Sequence, residues 1–345
     1  MDNLLTPKQL GFSFPAEWHR HKATWLSYPH NENSWPGKIE TIYPSYNLFI
    51  KELSFSEQVH ININDSAQQL WAEEELKKIN CNMENVYFHS FKTNDAWARD
   101  HGPAFVIKGK EKALVNWNYN AWGGKYPAEL DNLIPKQIAE YLNIQSFSPN
   151  IVMEGGSIDV NGCGDLITTK ACLLNENRNP NLTQSQIEEK LREFYCVENI
   201  LWLNDGIEGD DTDGHVDDLT RFVNEDTVVT VVEPNKNDDN YQPLQDNLKL
   251  LSKMRLNNSK QINIIEILMP SRVEYEGQRL PASYANFYIA NDKVIMPLYK
   301  CEQDEKAFIL LEQVFKDRKI IGIDSTDIIW GLGSFHCLSQ QEPEV

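Results

Sequence analysis

A hairpin, a helix and a returning strand recur in one order along this chain, and that recurrence limits the folds open to it more than any single motif does. The clearest copy begins at Tyr284. Residues 287–290 read as a strand, Asn291-Asp292 as a turn and 294–296 as the returning strand. Ala307, Phe308, Leu311, Val314 and Phe315 then follow helical spacing, and 320–323 close the unit as a strand.

The same order appears three more times upstream. Segments 219–223 and 228–232 flank the turn 224–226, and a helix near 244–254 and a strand at 262–268 follow. Segments 158–160 and 166–169 flank Asn161-Gly162-Cys163-Gly164; a helix starts at Thr183, whose Gln186 completes a capping-box pattern, and 200–203 is the strand. Segments 104–107 and 113–115 flank a Lys-Gly-Lys turn, followed by a helix around 136–142 and a strand at 151–153. The first unit, from Ala23 to about Phe91, is less regular and holds an extra helix at 67–78. A last strand at 335–339 has no hairpin partner after it. Pairing with 24–27 would close a ring between the two chain ends. The expectation is five hairpin-helix-strand modules around a central site, forming one α/β domain over 1–345. The alternative is an ordinary α+β domain whose elements happen to alternate.

Composition bounds the partners. An apolar share of 41% with 9 Trp, 13 Tyr and 14 Phe is that of a globular protein. The formal charge of −19 argues against a nucleic-acid backbone or an anionic membrane and suits a cationic ligand, although acidity also serves solubility alone. The opening MDNLLTPKQLG has neither a basic nor an apolar leader region, and no stretch approaches the roughly 18 apolar residues of a membrane span. Cys81, Cys163, Cys172, Cys196, Cys301 and Cys337 are scattered without C-x-x-C pairs, which fits reduced, cytoplasmic usage.

The unusual polar residues fall at one place in the repeat, just before or within the first strand of a hairpin. Trp97-Ala98-Arg99-Asp100-His101-Gly102-Pro103 precedes the strand at 104, and Glu154-Gly155-Gly156-Ser157 the strand at 158. Asp213-Gly214-His215-Val216-Asp217-Asp218 precedes the strand at 219, and Gly331-Leu332-Gly333-Ser334-Phe335-His336-Cys337 opens the last strand. Modules set around an axis would bring these stretches into one pocket. Singly, each has a plainer account. Asp100 beside Gly and Pro suits a turn. The run 209–218 suits a solvated or calcium-binding loop, although Thr220 stands where an EF-hand needs its bidentate Glu. Glu154 ends an apolar stretch, where an unpaired carboxylate is costly. His215 and Asp217, two apart on a strand, would share a face, whereas His336 and Cys337 would point apart. Gly331 and Gly333 would let a ligand approach the backbone closely.

These stretches, with Asn94-Asp95-Ala96 before the first of them, Asn120-Ala121-Trp122-Gly123-Gly124, Asn177-Arg178-Asn179-Pro180 and Leu338-Ser339-Gln340-Gln341-Glu342-Pro343, resemble in content and order the agmatine deiminase family of the guanidine-modifying superfamily, which also holds the bacterial peptidyl-arginine deiminases. The resemblance spans nearly the whole chain. It implies a five-bladed α/β propeller (pentein) and hydrolysis of agmatine to N-carbamoylputrescine and ammonia, a step toward putrescine. It implies Cys337 as nucleophile, His215 as general acid and base, Glu154 as the carboxylate serving that histidine, and Asp100 and Asp217 as the grip on the guanidinium. Trp97 and Trp122 suit the enclosure of an aliphatic chain or an ammonium. Neither metal nor cofactor is needed, and self-association is left open. Two features depart from the family: one glycine fewer in the approach to Cys337, and a shorter segment before Tyr284.

Rival readings are a peptidyl-arginine or other guanidinium deiminase and, from different classes, a metal-dependent hydrolase built on the acidic loops or a non-catalytic binding protein. Three carboxylates around Cys337 (those of Asp100, Glu154 and Asp217) are expected to keep its thiol protonated until a cation arrives.

Overall fold

The computed structural model describes residues 5–345; of the opening segment read for a leader, residues 1–4 lie outside the described residues. Five sheets of one plan succeed each other along the chain. The second contains β4 (Ala104–Lys108), β5 (Glu111–Val115) and β6 (Gln145–Phe147), and the third β7 (Ile158–Val160), β8 (Asp165–Thr169) and β9 (Asn199–Leu203). The fourth contains β10 (Thr220–Asn224), β11 (Thr227–Val232) and β12 (Asn263–Leu268). A small separate hairpin, β13 (Glu274–Tyr275) and β14 (Gln278–Arg279), precedes the fifth, which contains β15 (Tyr288–Ile289), β16 (Lys293–Leu298) and β17 (Lys319–Asp324). In each of the four, the first strand is antiparallel to the second and the second parallel to the third. A parallel pair needs a crossover, and a helix is the connection that returns the chain at the right distance.

The first sheet shows how the two chain ends meet. Its strands β1 (His21–Ser27), β2 (Gln58–Asn62) and β3 (Val86–His89) all run parallel, and among the described residues no hairpin partner precedes β1. That place is taken by β18 (Ser339–Pro343), antiparallel to β1 with Trp25 opposite Gln340. The expected closure is therefore present, but its strand starts at Ser339, not at Phe335. Residues 335–338 form a turn, so the strand-face argument that set His336 apart from Cys337 does not apply.

Local chemistry accounts for most of the elements. The helix Ile39–Ser54 buries Ile42, Tyr46, Phe49, Ile50 and Leu53, a helical spacing on one face. The extra helix of the first unit, Ser66–Lys78, starts at Asp65, whose carboxylate accepts the Gln68 N–H; Thr183 and Gln186 form the reciprocal capping box. The strand expected at 151–153 is a single bridge, Asn118 to Val152, and the third strand of that module is β6. Gln145 and Ser146 are exposed, so β6 carries no apolar alternation to reveal it. Apolar burial lies between each sheet and its helices, as where Val106, Val115, Leu166 and Leu191 meet. Among the described residues no helix is long and apolar enough to cross a membrane.

Candidate active site

Each module delivers polar side chains at the same point, the entry to its first strand. Asp100 sits in the short helix Ala98–His101 before β4. Glu154 precedes the turn Gly155–Ser157 that leads into β7. His215 and Asp217 belong to the turn Val216–Asp218 before β10. Cys337 lies two residues before β18. His215 and Asp217 thus converge through a 3-10 turn rather than by sharing a strand face.

The structure brings all five together, buried. Cys337 is 5% exposed, and its thiol faces Asp217 Oδ2 at 3.5 Å. His215 is enclosed by carboxylates: Nδ1 lies 3.7 Å from Asp100 Oδ1 and 4.0 Å from Asp217 Oδ1, and Nε2 lies 3.9 Å from Glu154 Oε2. These are charge contacts, too long for hydrogen bonds. Neither ring nitrogen has a hydrogen-bond partner among the described residues, and neither has Asp217 Oδ1. Buried polar atoms are normally paired, so three unpaired ones in one place mark a site shaped for something that supplies the partners. Gly156 keeps that place open. A Cβ there would stand 2.6 Å from His215 Nδ1, 2.9 Å from Asp100 Oδ1 and 3.0 Å from Asp217 Oδ2.

The charges follow from position. Burial would lower the affinity of His215 for a proton, but Asp100 and the Glu154 side outweigh it, and its pKa is raised well above the usual value. Burial raises the carboxyl of Asp100. Burial would also raise Glu154 and Asp217, yet both are lowered, Glu154 by His215 and Arg178, Asp217 chiefly by His336. The Cys337 thiol is pushed far up by burial first, then by Asp217, Asp218 and Asp100. Asp218 thus takes the part expected of Glu154.

A cavity of about 230 Å³ opens onto Cys337, with Trp97, Trp122, Asp95, Asp100 and Asp211 in its wall. Among the described residues no arginine or lysine lines it. Trp122 does more than enclose: its indole N–H donates to Asp100 Oδ2 at 2.9 Å. Its backbone is left-handed (φ 55°), held by Asn120 accepting the Gly123 N–H. The approach glycines have a different reason from the expected one. A Cβ at Gly331 would stand 2.5 Å from the Trp35 ring and one at Gly333 2.6 Å from Trp97, so the close neighbours are tryptophans.

Three further residues support the site. Arg178, in the Asn-Arg-Asn-Pro stretch, donates to Glu154 Oε1 at 2.5 Å and Asp213 Oδ2 at 2.7 Å. Glu17 precedes the first module and carries no sequence signal. It accepts from Arg221 and from His336 Nε2, each at 2.8 Å, while His336 Nδ1 lies 2.6 Å from Asp217 Oδ2. The imidazole thus bridges the two carboxylates through its two ring nitrogens. His336 is therefore a direct neighbour of the site. The third, Asn286, meets the Cys337 sulfur. Among the described residues Glu154, Cys172 and His215 alone place three metal-binding atoms within 4.8 Å of one another, but Arg178 already supplies positive charge to that carboxylate.

A family profile described as Porphyromonas-type peptidyl-arginine deiminase matches residues 13–343. The chain belongs to that family. A Legionella pneumophila (strain Philadelphia 1) protein that bears agmatine deiminase as a provisional name is 37% identical over 346 residues, 98% of this chain and 97% of its own. A structure of agmatine deiminase of Enterococcus faecalis superimposes with a TM-score of 0.93 at 32% identity, covering 99% of this chain and 98% of that one. A C. jejuni agmatine deiminase with a Cys-to-Ser substitution and substrate bound superimposes with a TM-score of 0.87 at 34% identity, covering 96% of each chain. The family thus shares the α/β architecture described above over almost its whole length.

Proposed function

We propose that this chain hydrolyses agmatine to N-carbamoylputrescine and ammonia, acting in the cytoplasm as one domain with Cys337 as nucleophile. The observation that carries the reading is the set of unpaired buried atoms, His215 Nδ1 and Nε2 and Asp217 Oδ1, beside a thiol and the carboxylate of Asp100. A guanidinium is planar and cationic and has N–H groups on every side, so it matches facing carboxylates by charge-assisted hydrogen bonds.

With the cation held by Asp100 and Asp217, the Cys337 thiolate attacks the guanidinium carbon. His215, held protonated by the surrounding carboxylates, gives its proton to the departing nitrogen, and ammonia leaves. A thiouronium remains on Cys337. Neutral His215 then takes a proton from water as the water attacks that carbon. The carbon–sulfur bond breaks, and a ureido product and the free cysteine result. Glu154, anchored by Arg178, keeps the imidazolium stabilised from the Nε2 side.

The choice of agmatine rests on charge. Free arginine adds a carboxylate, and the cationic side chains near the site are committed elsewhere. Arg99 donates to Gln341 Oε1 at 2.7 Å, and Arg221 to Glu17 and to the Phe287 carbonyl at 2.9 Å. Ammonia release from agmatine, arginine and a peptidyl-arginine at matched concentration tests the reading. Agmatine should be preferred. Equal efficiency on arginine would overturn that assignment, and activity confined to the peptide would reassign the substrate.

A further inference from the structure

A second cavity, of about 430 Å³, stands beside the catalytic one and plays no part in the steps above. The two share Asn33, Asp95, Trp122 and Tyr126 in their walls. The second also has Asp131 and Tyr119 in its wall, two buried residues whose polar ends are only partly used. Asp131 is 1% exposed, and its Oδ1 accepts the backbone N–H groups of Asn94 at 2.7 Å and of Asp95 at 3.3 Å. Those bonds tie down the loop ahead of Trp97 and account for one oxygen. Tyr119 is 4% exposed, and its ring packs edge-on against Trp122. Among the described residues no hydrogen bond reaches Asp131 Oδ2 or the Tyr119 hydroxyl. Buried side chains normally have their polar atoms paired, so both groups are open to a partner in the cavity.

Charge decides what kind of partner. Glu32, Asp95 and Asp131 line this cavity, and among the described residues no lysine or arginine does. Burial pushes the Asp131 carboxyl up to about 8 against the pull of the Asn94 N–H, and Asp95 adds to the push. Burial first, and then Asp131, holds the Tyr119 hydroxyl un-ionised. An anion would meet carboxylates here, and a neutral ligand would leave their charge unmatched. An alkylammonium donates N–H groups to a carboxylate and a phenol oxygen, and it suits the faces of Trp122 and Tyr126.

We infer that this cavity is a second cation subsite, which takes the terminal ammonium of guanidino compounds longer than agmatine on Asp131 and Tyr119. The inference deepens the reading of the catalytic cavity as a guanidinium site and rests on it. Agmatine carries one ammonium beyond its guanidinium, and the catalytic cavity has carboxylates of its own in Asp95 and Asp211. A second amine on a short alkyl chain passes the shared wall at Asp95 and Trp122 and enters the Asp131 cavity. The substrate class is then the guanidino polyamines, with agmatine as a short member.

The probe is agmatine with a 3-aminopropyl group on its primary amine, compared with agmatine itself by ammonia release. The wild-type protein should give the probe a KM at least about tenfold below that of agmatine, with kcat within about threefold. Asp131→Asn keeps an acceptor for the two backbone N–H groups and loses the charge. It should raise KM for the probe at least about tenfold and leave both constants for agmatine within about threefold. Tyr119→Phe keeps the ring against Trp122 and loses the hydroxyl, so KM for the probe alone should rise about threefold. A wild-type KM for the probe no lower than for agmatine overturns the subsite, as does an Asp131→Asn variant that shifts both substrates alike. If Asp131→Asn does not fold, Tyr119→Phe decides by the same criterion. In either case continued turnover of agmatine shows that the subsite alone has failed. Release of ammonia from neither compound by the wild-type protein overturns the guanidinium reading, and the subsite with it.

Discussion

The two sides of Asp217 are built on opposite rules. Its Oδ2 belongs to a closed ionic floor, where His336 bridges it to Glu17 and Glu17 also holds Arg221 and the Ile289 N–H. Its Oδ1 belongs to the face turned toward His215 and has no hydrogen-bond partner among the described residues, like both nitrogens of His215. On the floor, charge is matched by charge inside the protein. On the face, charge is left for the ligand to match. The floor makes the face affordable, since an unpaired buried carboxylate keeps its position only if something rigid holds its other oxygen. Stability should therefore reside behind Asp217 and reactivity in front of it, and substitutions on the two sides should fail in different ways.

The largest effect belongs to the face. Cys337→Ala or His215→Ala should lower kcat for agmatine by at least about ten-thousandfold, because each removes a group with no substitute in the covalent step. In Cys337→Ala the melting temperature should be little changed, since the thiol is a neutral group whose loss strips no buried charge of its partner. Steady-state kinetics with thermal melts would show the split. Inactivation accompanied by marked destabilisation would break the comparison. Next in size is substrate charge. An unpaired carboxylate among Asp95, Asp100 and Asp211 should make agmatine at least about a thousandfold better than arginine in kcat/KM.

The floor should fail by unfolding. Glu17→Ala leaves Arg221 and His336 without their shared carboxylate, and breaking a buried pair from one side costs about 3–5 kcal/mol. Urea denaturation would measure it. A loss below about 1 kcal/mol would show that the floor is not what holds the face. This was the part the sequence hid. The modules were legible because hairpins, capping residues and helical spacing are local, and the site positions because they recur at each strand entry. Glu17 lies outside the repeat, and its partners come from Arg221 and His336, so nothing near it in sequence marks it. His336 was misjudged for a related reason. The alternation rule holds for strands, and the chain turns through 335–338 before β18 begins. Asn286 did carry a signal, its place before the first strand of the fifth module, but an uncharged amide does not announce chemistry as a Cys, His or Asp does.

The smallest predicted effect is the most discriminating, because it reads the field on the face directly. Burial and the carboxylates of Asp217, Asp218 and Asp100 hold the Cys337 thiol well above its usual pKa, so in the free enzyme at neutral pH almost none is thiolate. Iodoacetamide reacts with the thiolate, so labelling should be slow there and rise as pH increases. Asp100→Asn removes one negative charge, lowers the thiol pKa and should speed labelling by about tenfold, the equivalent of one pKa unit. Asp217→Asn should speed it more. Asp217 is the stronger of the two influences. Both variants should lose turnover, since each forfeits half of the grip on the guanidinium. The acceleration should fade at high pH, where the wild-type thiol ionises as well. Labelling that is slower or unchanged in both would mean that the carboxylates do not govern the thiol, and that the unpaired face is not poised for an arriving cation.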